Sequence, residues 1–154
     1  MAIDWDLARD GIYRITDQIF VGQYPKADAF LRLQHLGITT ILNVSGGVYD
    51  HPRLAVVNVP VQDLVELPLP TADKIVETIV GVVARGDRIY VHCIAGQNRS
   101  PGSVFLGLLA LGIGREQATR LIEESTLDAV AHHEAIITER VIGHVLGRAG
   151  GRLP

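Results

Sequence analysis

Apolar residues recur along this chain with two different periods, and the switches between them mark out its elements. Ile12 to Ile15 and Ile19 to Val21 alternate about the polar Thr16-Asp17-Gln18, which predicts a small hairpin. Lys26 to Leu36 carries apolar residues at helical spacing and stops at Gly37. Thr40 to Val44 reads as a buried strand ended by Ser45-Gly46-Gly47, and Ala55 to Val61 as a second strand. The prolines of Leu67-Pro68-Leu69-Pro70 disfavour helix before them, so that stretch is expected to be a rigid connector. Thr71 is then placed to cap a helix running to Arg85, with Ile75, Ile79, Val82 and Val83 facing inward and Gly86 ending it. Arg88 to His92 is the expected central strand, and Pro101 sits just inside the helix after it, where its missing N–H costs nothing. Two more helices are expected, over Arg115 to Glu124 and Leu127 to Leu146, ahead of a small, basic, mobile tail from Gly147 to Pro154.

Strands alternating with helices predict an α/β sandwich with a central, mostly parallel sheet of about five strands flanked by helices. No repeat, linker or low-complexity block interrupts residues 1–154, so a single domain is expected, with its core over about 12–146. At 47% hydrophobic the chain can bury one sizeable core. A net charge of −3 provides neither a basic stripe for nucleic-acid backbones nor a polybasic membrane tether, so no nucleic-acid or membrane partner is expected. Met1-Ala2-Ile3-Asp4-Trp5-Asp6 lacks the pattern of a signal peptide, and the apolar stretch Val104 to Ile113 is too short to span a bilayer. One cysteine excludes an intrachain disulfide and a cysteine metal cage, which points to a reducing cytoplasm.

That cysteine stands in the most informative run of the chain, Ile89-Tyr90-Val91-His92-Cys93-Ile94-Ala95-Gly96-Gln97-Asn98-Arg99-Ser100-Pro101. Cys93 falls between a strand and the start of a helix, where the helix dipole and unpaired N–H groups favour a thiolate. The same N–H groups, from Ile94, Ala95, Gly96, Gln97, Asn98 and Arg99, suit a tetrahedral oxyanion. Gly96 permits the tight, partly left-handed path that such a cradle needs. Arg99 is planar and permanently charged, and so matches phosphate oxygens in pairs. Ser100 can donate to the sulfur, and His92 reads as an orienter of the loop rather than a base. Together these groups describe a device for taking phosphate from an ester by nucleophilic attack.

His-Cys-x-x-Gly-x-x-Arg-Ser, as it stands in His92 to Ser100, resembles the signature of the cysteine-dependent protein tyrosine phosphatases, and most of all their compact dual-specificity branch. Tyr13 to Thr16, Phe20 to Gly22 and Leu36 to Val44 resemble that branch's opening strands and first helix-to-strand passage. Val59-Pro60-Val61-Gln62-Asp63 resembles its acid-bearing loop, and the likeness covers roughly residues 12 to 124. The resemblance implies a cysteinyl-phosphate intermediate, a phosphoprotein substrate (phosphotyrosine with tolerance for phosphoserine or phosphothreonine), and no metal or other cofactor. It makes Asp63 the general acid; Glu66, in the same loop, is the alternative. Other readings are a phosphatase of small molecules or RNA 5′ ends and a non-catalytic phosphopeptide-binding module. A rhodanese-type sulfurtransferase would not call for Asp63 or His92.

Some residues point elsewhere or depart from the family pattern. His132-His133-Glu134 with His144 invites a metal reading, but the spacing lacks a Glu-x-x-His or His-x-x-x-His pair, so an ordinary helix face is expected. Gly112-Ile113-Gly114 lacks the rest of a nucleotide loop and reads as a turn, and Glu123-Glu124 as an exposed face. The loop interior carries no Lys or second Arg, which disfavours inositol phospholipids. Asn98 before Arg99 resembles the RNA triphosphatase members, whose arginine is followed by Thr instead of Ser100. Beyond Glu124, Ser125-Thr126-Leu127-Asp128 replaces the usual Arg-Pro and Pro-Asn elements, so the pocket wall from the last helices does not follow from the resemblance.

Overall fold

Eleven elements build the molecule, which is described over residues 3–152 in a computed structural model. They are α1 (Trp5–Ala8), β1 (Ile12–Arg14), β2 (Ile19–Gly22), α2 (Ala29–His35), β3 (Ile38–Asn43), β4 (Ala55–Asn58), α3 (Leu69–Ala84), β5 (Arg88–His92), α4 (Arg99–Ala110), α5 (Arg115–Ser125) and α6 (Glu139–Arg152). The strands form one sheet in the order β1-β2-β5-β3-β4, antiparallel between β1 and β2 and parallel elsewhere. This is the expected α/β sandwich, with β5 at its centre.

Side chains alternate across a strand, so each strand feeds two layers. From β5, Ile89 and Val91 enter a core shared with α3, α4, α5 and α6, whose buried members include Ile75, Ile79, Phe105, Leu108, Ile122 and Val141. Tyr90 enters a smaller core on the opposite face with Phe20, Ile41, Leu7 of α1 and Leu33 of α2. Helix α1 escapes a periodicity reading because it is one turn long; Asp4 caps it by accepting from the N–H groups of Asp6 and Leu7.

Several boundaries differ from the sequence expectation. Helix α2 begins at Ala29 instead of Lys26, because residues 26–28 form a turn that the Ala29 N–H closes onto the Lys26 carbonyl. Helix α3 begins at Leu69, not after a Thr71 cap: Pro68 is the N-cap and Pro70 falls in the first turn, where no N–H is required. Strand β4 stops at Asn58, short of Val61, since Pro60 has no N–H for the ladder; Val59 and Val61 are still buried.

The helix expected over Leu127 to Leu146 is absent from its first half. Residues 127–138 form an irregular loop that buries Ala131, Ile136 and Ile137, with a single turn closed by the Ile136 and Ile137 N–H groups on the His133 carbonyl. Asp128 adopts φ +51°, which no helix accommodates, and Thr138 starts α6 by accepting from Val141 N–H. Nor is 147–152 a mobile tail: it continues α6 and packs Ala149 inward. Leu153 and Pro154 lie outside the described residues. Among the described residues no helix is long and apolar enough to cross a membrane.

Helix α4 carries the active loop, and its contact with α3 is tight at Gly107, where a Cβ would stand 2.8 Å from Ile79 Cγ2 and 2.9 Å from Cδ1. Gly107→Ala is therefore expected to lower unfolding free energy by about 1–3 kcal/mol through overpacking, despite alanine's better helix propensity. Denaturant unfolding measures it, and a variant at least as stable as the parent would contradict the tight contact.

Candidate active site

Strand β5 ends at His92, and the next residue, Cys93, opens the loop that leads into α4. Its thiol is 2% exposed at the floor of a cleft of about 270 Å³, lined by Asp63 and Arg99 together with residues of the loop. Gly96 N–H donates to Cys93 Sγ at 3.3 Å. Gly96 has φ +74°, and a Cβ there would stand 2.8 Å from the carbonyl carbon of Gly22. The loop can thus press against the end of β2 only with glycine at this position.

Ser100 is fully buried in the first turn of α4, with its Oγ 3.2 Å from Cys93 Sγ and donating to the Gly22 carbonyl at 3.0 Å. A hydroxyl has one proton to give. While that proton points to Gly22, the sulfur must be the donor in the Sγ···Oγ contact, which describes a thiol. A thiolate would draw the proton onto itself. Ser100 can therefore follow the charge on sulfur by rotating one bond.

Arg99 spans the cleft. Its Nη1 donates to the Val61 carbonyl at 3.1 Å, and its Nε lies 4.0 Å from Asp63 Oδ1. Asp63 is exposed at the cleft wall, and its Oδ1 also accepts from the N–H of Leu64, which adopts φ +59°. Glu66, the alternative acid, faces away from the cleft. It accepts from Thr138 Oγ1 at 2.7 Å and from Arg140 Nη1 at 2.9 Å, and these two bonds hold its carboxyl below its ordinary pKa. The geometry brings Asp63, not Glu66, to Arg99 and Cys93.

His92 points to the opposite face of the sheet from Cys93 and is fully buried. Its Nδ1 lies 2.9 Å from the Cys93 carbonyl oxygen, and its Nε2 lies 2.8 Å from the Tyr49 hydroxyl. A carbonyl only accepts, so in the neutral ring Nδ1 carries the proton and Nε2 accepts from Tyr49. Burial pushes the His92 pKa down to about 4, against a weaker opposite pull from the Cys93 carbonyl. Burial also pushes the Tyr49 phenol well up, which keeps it a donor.

Tyr49 was not legible as a site residue, since nothing in its local sequence singles it out. Its loop is held by a buried and a half-buried amide: Asn43 donates to the Gly47 carbonyl and to Asn58 Oδ1, and Asn58 in turn donates to the Tyr49 carbonyl. Two asparagines at equivalent ends of adjacent strands β3 and β4 are the signal that could have drawn attention to it.

The loop 127–138 braces the Cys93 loop and the segment after Asp63, although none of its residues lines the cleft itself. Val130 N–H donates to the Gln97 carbonyl at 2.8 Å, and Leu67 N–H donates to the Ile136 carbonyl. The histidines are not brought together: His132 packs on the Phe105 ring, His133 Nδ1 accepts from Ala135 N–H, and His144 pairs with Asp73 of α3. Among the described residues no three His, Cys, Asp or Glu side chains are grouped to hold a metal.

No family model matches the chain. Over 93 residues it is 31% identical to dual specificity protein phosphatase 14 of Mus musculus, covering 58% of this chain and 47% of that protein. Over 119 residues it is 29% identical to protein tyrosine phosphatase type IVA 3 of Homo sapiens, covering 70% of this chain and 66% of that one. The chain thus spans about half the length of the dual specificity relatives it matches. The crystal structure of PTPMT1 in complex with PI(5)P overlays with a TM-score of 0.78 at 18% identity, covering 93% of this chain and 99% of that one. At that identity the overlay speaks for the fold.

The folded chain keeps His92 neutral down to about pH 4, whereas an unfolded histidine takes its proton near 6.5. Falling pH therefore favours the unfolded state through that window, and the native stability present above pH 6.5 is expected to drop by roughly 3 kcal/mol by pH 4 on this account. Denaturant unfolding from pH 7 to 4 tests it against His92→Asn, in which this contribution should vanish. Equal slopes in the two proteins would assign the loss to other groups.

Proposed function

We propose that this chain, related in sequence and fold to the compact dual-specificity branch of the cysteine-dependent protein tyrosine phosphatases, is a phosphoric monoester hydrolase that acts on phosphoproteins. Phosphotyrosine is the proposed main substrate, with phosphoserine and phosphothreonine tolerated. The observation that carries the reading is the buried Cys93 sulfur at the floor of a small cleft, with the Gly96 N–H and the Ser100 hydroxyl on it and Arg99 at the wall.

In the proposed reaction Cys93 gives up its thiol proton and Asp63 takes one up through solvent, the thiolate attacks phosphorus in line, the S–P bond forms, and the ester P–O bond breaks. Loop N–H groups and Arg99 hold the three non-bridging oxygens, and Asp63 delivers a proton to the leaving oxygen. Phosphate binding requires Arg99 Nε to turn from the Asp63 carboxylate toward the cleft, which frees Asp63 for the leaving group. Water then attacks the cysteinyl-phosphate with Asp63 as base, phosphate departs, and the Ser100 proton swings from Gly22 to the leaving sulfur. His92 and Tyr49 hold the Cys93 carbonyl and take no proton in the cycle. No metal enters the scheme, and a reducing cytoplasm suits a working thiol.

Vanadate-sensitive hydrolysis of an aryl phosphate in the presence of a metal chelator is the direct test. The parent protein should turn over under these conditions, and Cys93→Ser should not, while still binding vanadate through the backbone cradle and Arg99. Appreciable residual turnover by Cys93→Ser would falsify the covalent route.

Asp63→Asn separates acid catalysis from binding. It should slow release from a phosphotyrosine peptide by about a hundredfold or more, the usual scale for a lost general acid. An aryl phosphate whose phenol is already strongly acidic should lose far less. Equal losses on both substrates would make Asp63 a structural residue.

A further inference from the structure

A second concavity, of about 190 Å³, opens beside the phosphate cleft and shares Ala95 and Gln97 with it. Its other walls include Tyr13 of β1, Gln23 just after β2, and Leu127 and Asp128 of the irregular loop. Every polar side chain there can accept a hydrogen bond, and Asp128 is the one ionised group among its lining residues. Asp128 is exposed and forms no ion pair with a lysine or arginine among the described residues. Tyr13 lies within its field: burial raises the phenol's pKa and the Asp128 charge raises it further, against a hydrogen bond from the Leu127 backbone.

We propose that this concavity is a specificity subsite for a cationic side chain, a lysine or arginine one or two residues from the phosphorylated residue of a peptide substrate, with Asp128 as its counter-charge. The inference rests on the phosphatase reading above, because the two concavities share the walls formed by Ala95 and Gln97. An extended peptide advances about 3.3 Å per residue, so a near neighbour of the phosphorylated residue reaches across that shared wall. Leu127, 44% exposed, gives the aliphatic stem of such a side chain a surface to lie on while its charged head meets the carboxylate. A glutamate at the same substrate position would meet Asp128 as a like charge. The lone carboxylate favours a cation over a second phosphate, which it would repel and which no Lys or Arg in this lining would offset.

The test uses phosphotyrosine peptides identical save for Lys, Ala or Glu at one position within two residues on either side of the phosphotyrosine. At one such position the parent should show kcat/KM about threefold to fivefold higher for Lys than for Ala, with Glu lower still, the scale of a solvent-exposed pair. High salt should compress the ratio. Asp128→Asn keeps the shape and tolerates the left-handed backbone, and it should bring the three peptides together. The readout is a ratio within each enzyme, so a loss of folded protein cancels. The same Lys–Ala–Glu ordering in both proteins, or no ordering at any position in the parent, overturns the subsite. Hydrolysis of an aryl phosphate but of none of the peptides overturns it and leaves a phosphatase of other substrates. Failure on both kinds of substrate removes the phosphatase reading itself, and the subsite with it.

Discussion

Two adjacent residues at the end of one strand must face opposite sides of a sheet, and the site depends on that constraint. Cys93 goes with the larger core and His92 with the smaller one, so the thiol and the ring that fixes its carbonyl are anchored in different layers. The peptide between them cannot rotate without disturbing both. Around this point the chain gathers buried and half-buried polar groups: the hydroxyl of Tyr49, the paired amides of Asn43 and Asn58, and the hydroxyl of Ser100. Each has its partner, as buried polar groups must.

The same constraint explains why the hairpin at the start of the chain matters to a loop more than seventy residues later. Gly22 ends β2 in register with His92, which brings its carbonyl under the loop after β5. There it accepts from Ser100 and leaves no room for a side chain at Gly96. One backbone carbonyl therefore both shapes the loop after Cys93 and competes with the sulfur for a proton.

Fold class, the number of strands and the local structure of the Cys93 loop were legible because local rules suffice for them. The run from Arg88 to Pro101 holds a buried strand, a glycine-bearing turn and a proline in the first turn of a helix, all within fourteen residues. Asp63 could be placed on its loop but not separated from Glu66, because the difference lies in contacts from Thr138 and Arg140, over seventy residues away. Tyr49 was silent for the same reason. The 127–138 segment misled because Leu127, Val130 and Ala131 stand at helical spacing, while the burial of Ala131, Ile136 and Ile137 is achieved by turns against other elements. Tertiary hydrogen bonds, such as that from Val130 to Gln97, decide that segment, and no local pattern records them.

That segment also touches both sides of the cleft. At one end Val130 holds the carbonyl of Gln97 in the nucleophile loop; at the other Ile136 and Thr138 hold Leu67 and Glu66 just beyond Asp63. It ties the loop of Cys93 to the segment beyond Asp63 through one continuous length of chain. A change in the length of this segment would therefore shift the Cys93 loop and the Asp63 loop relative to one another without touching either.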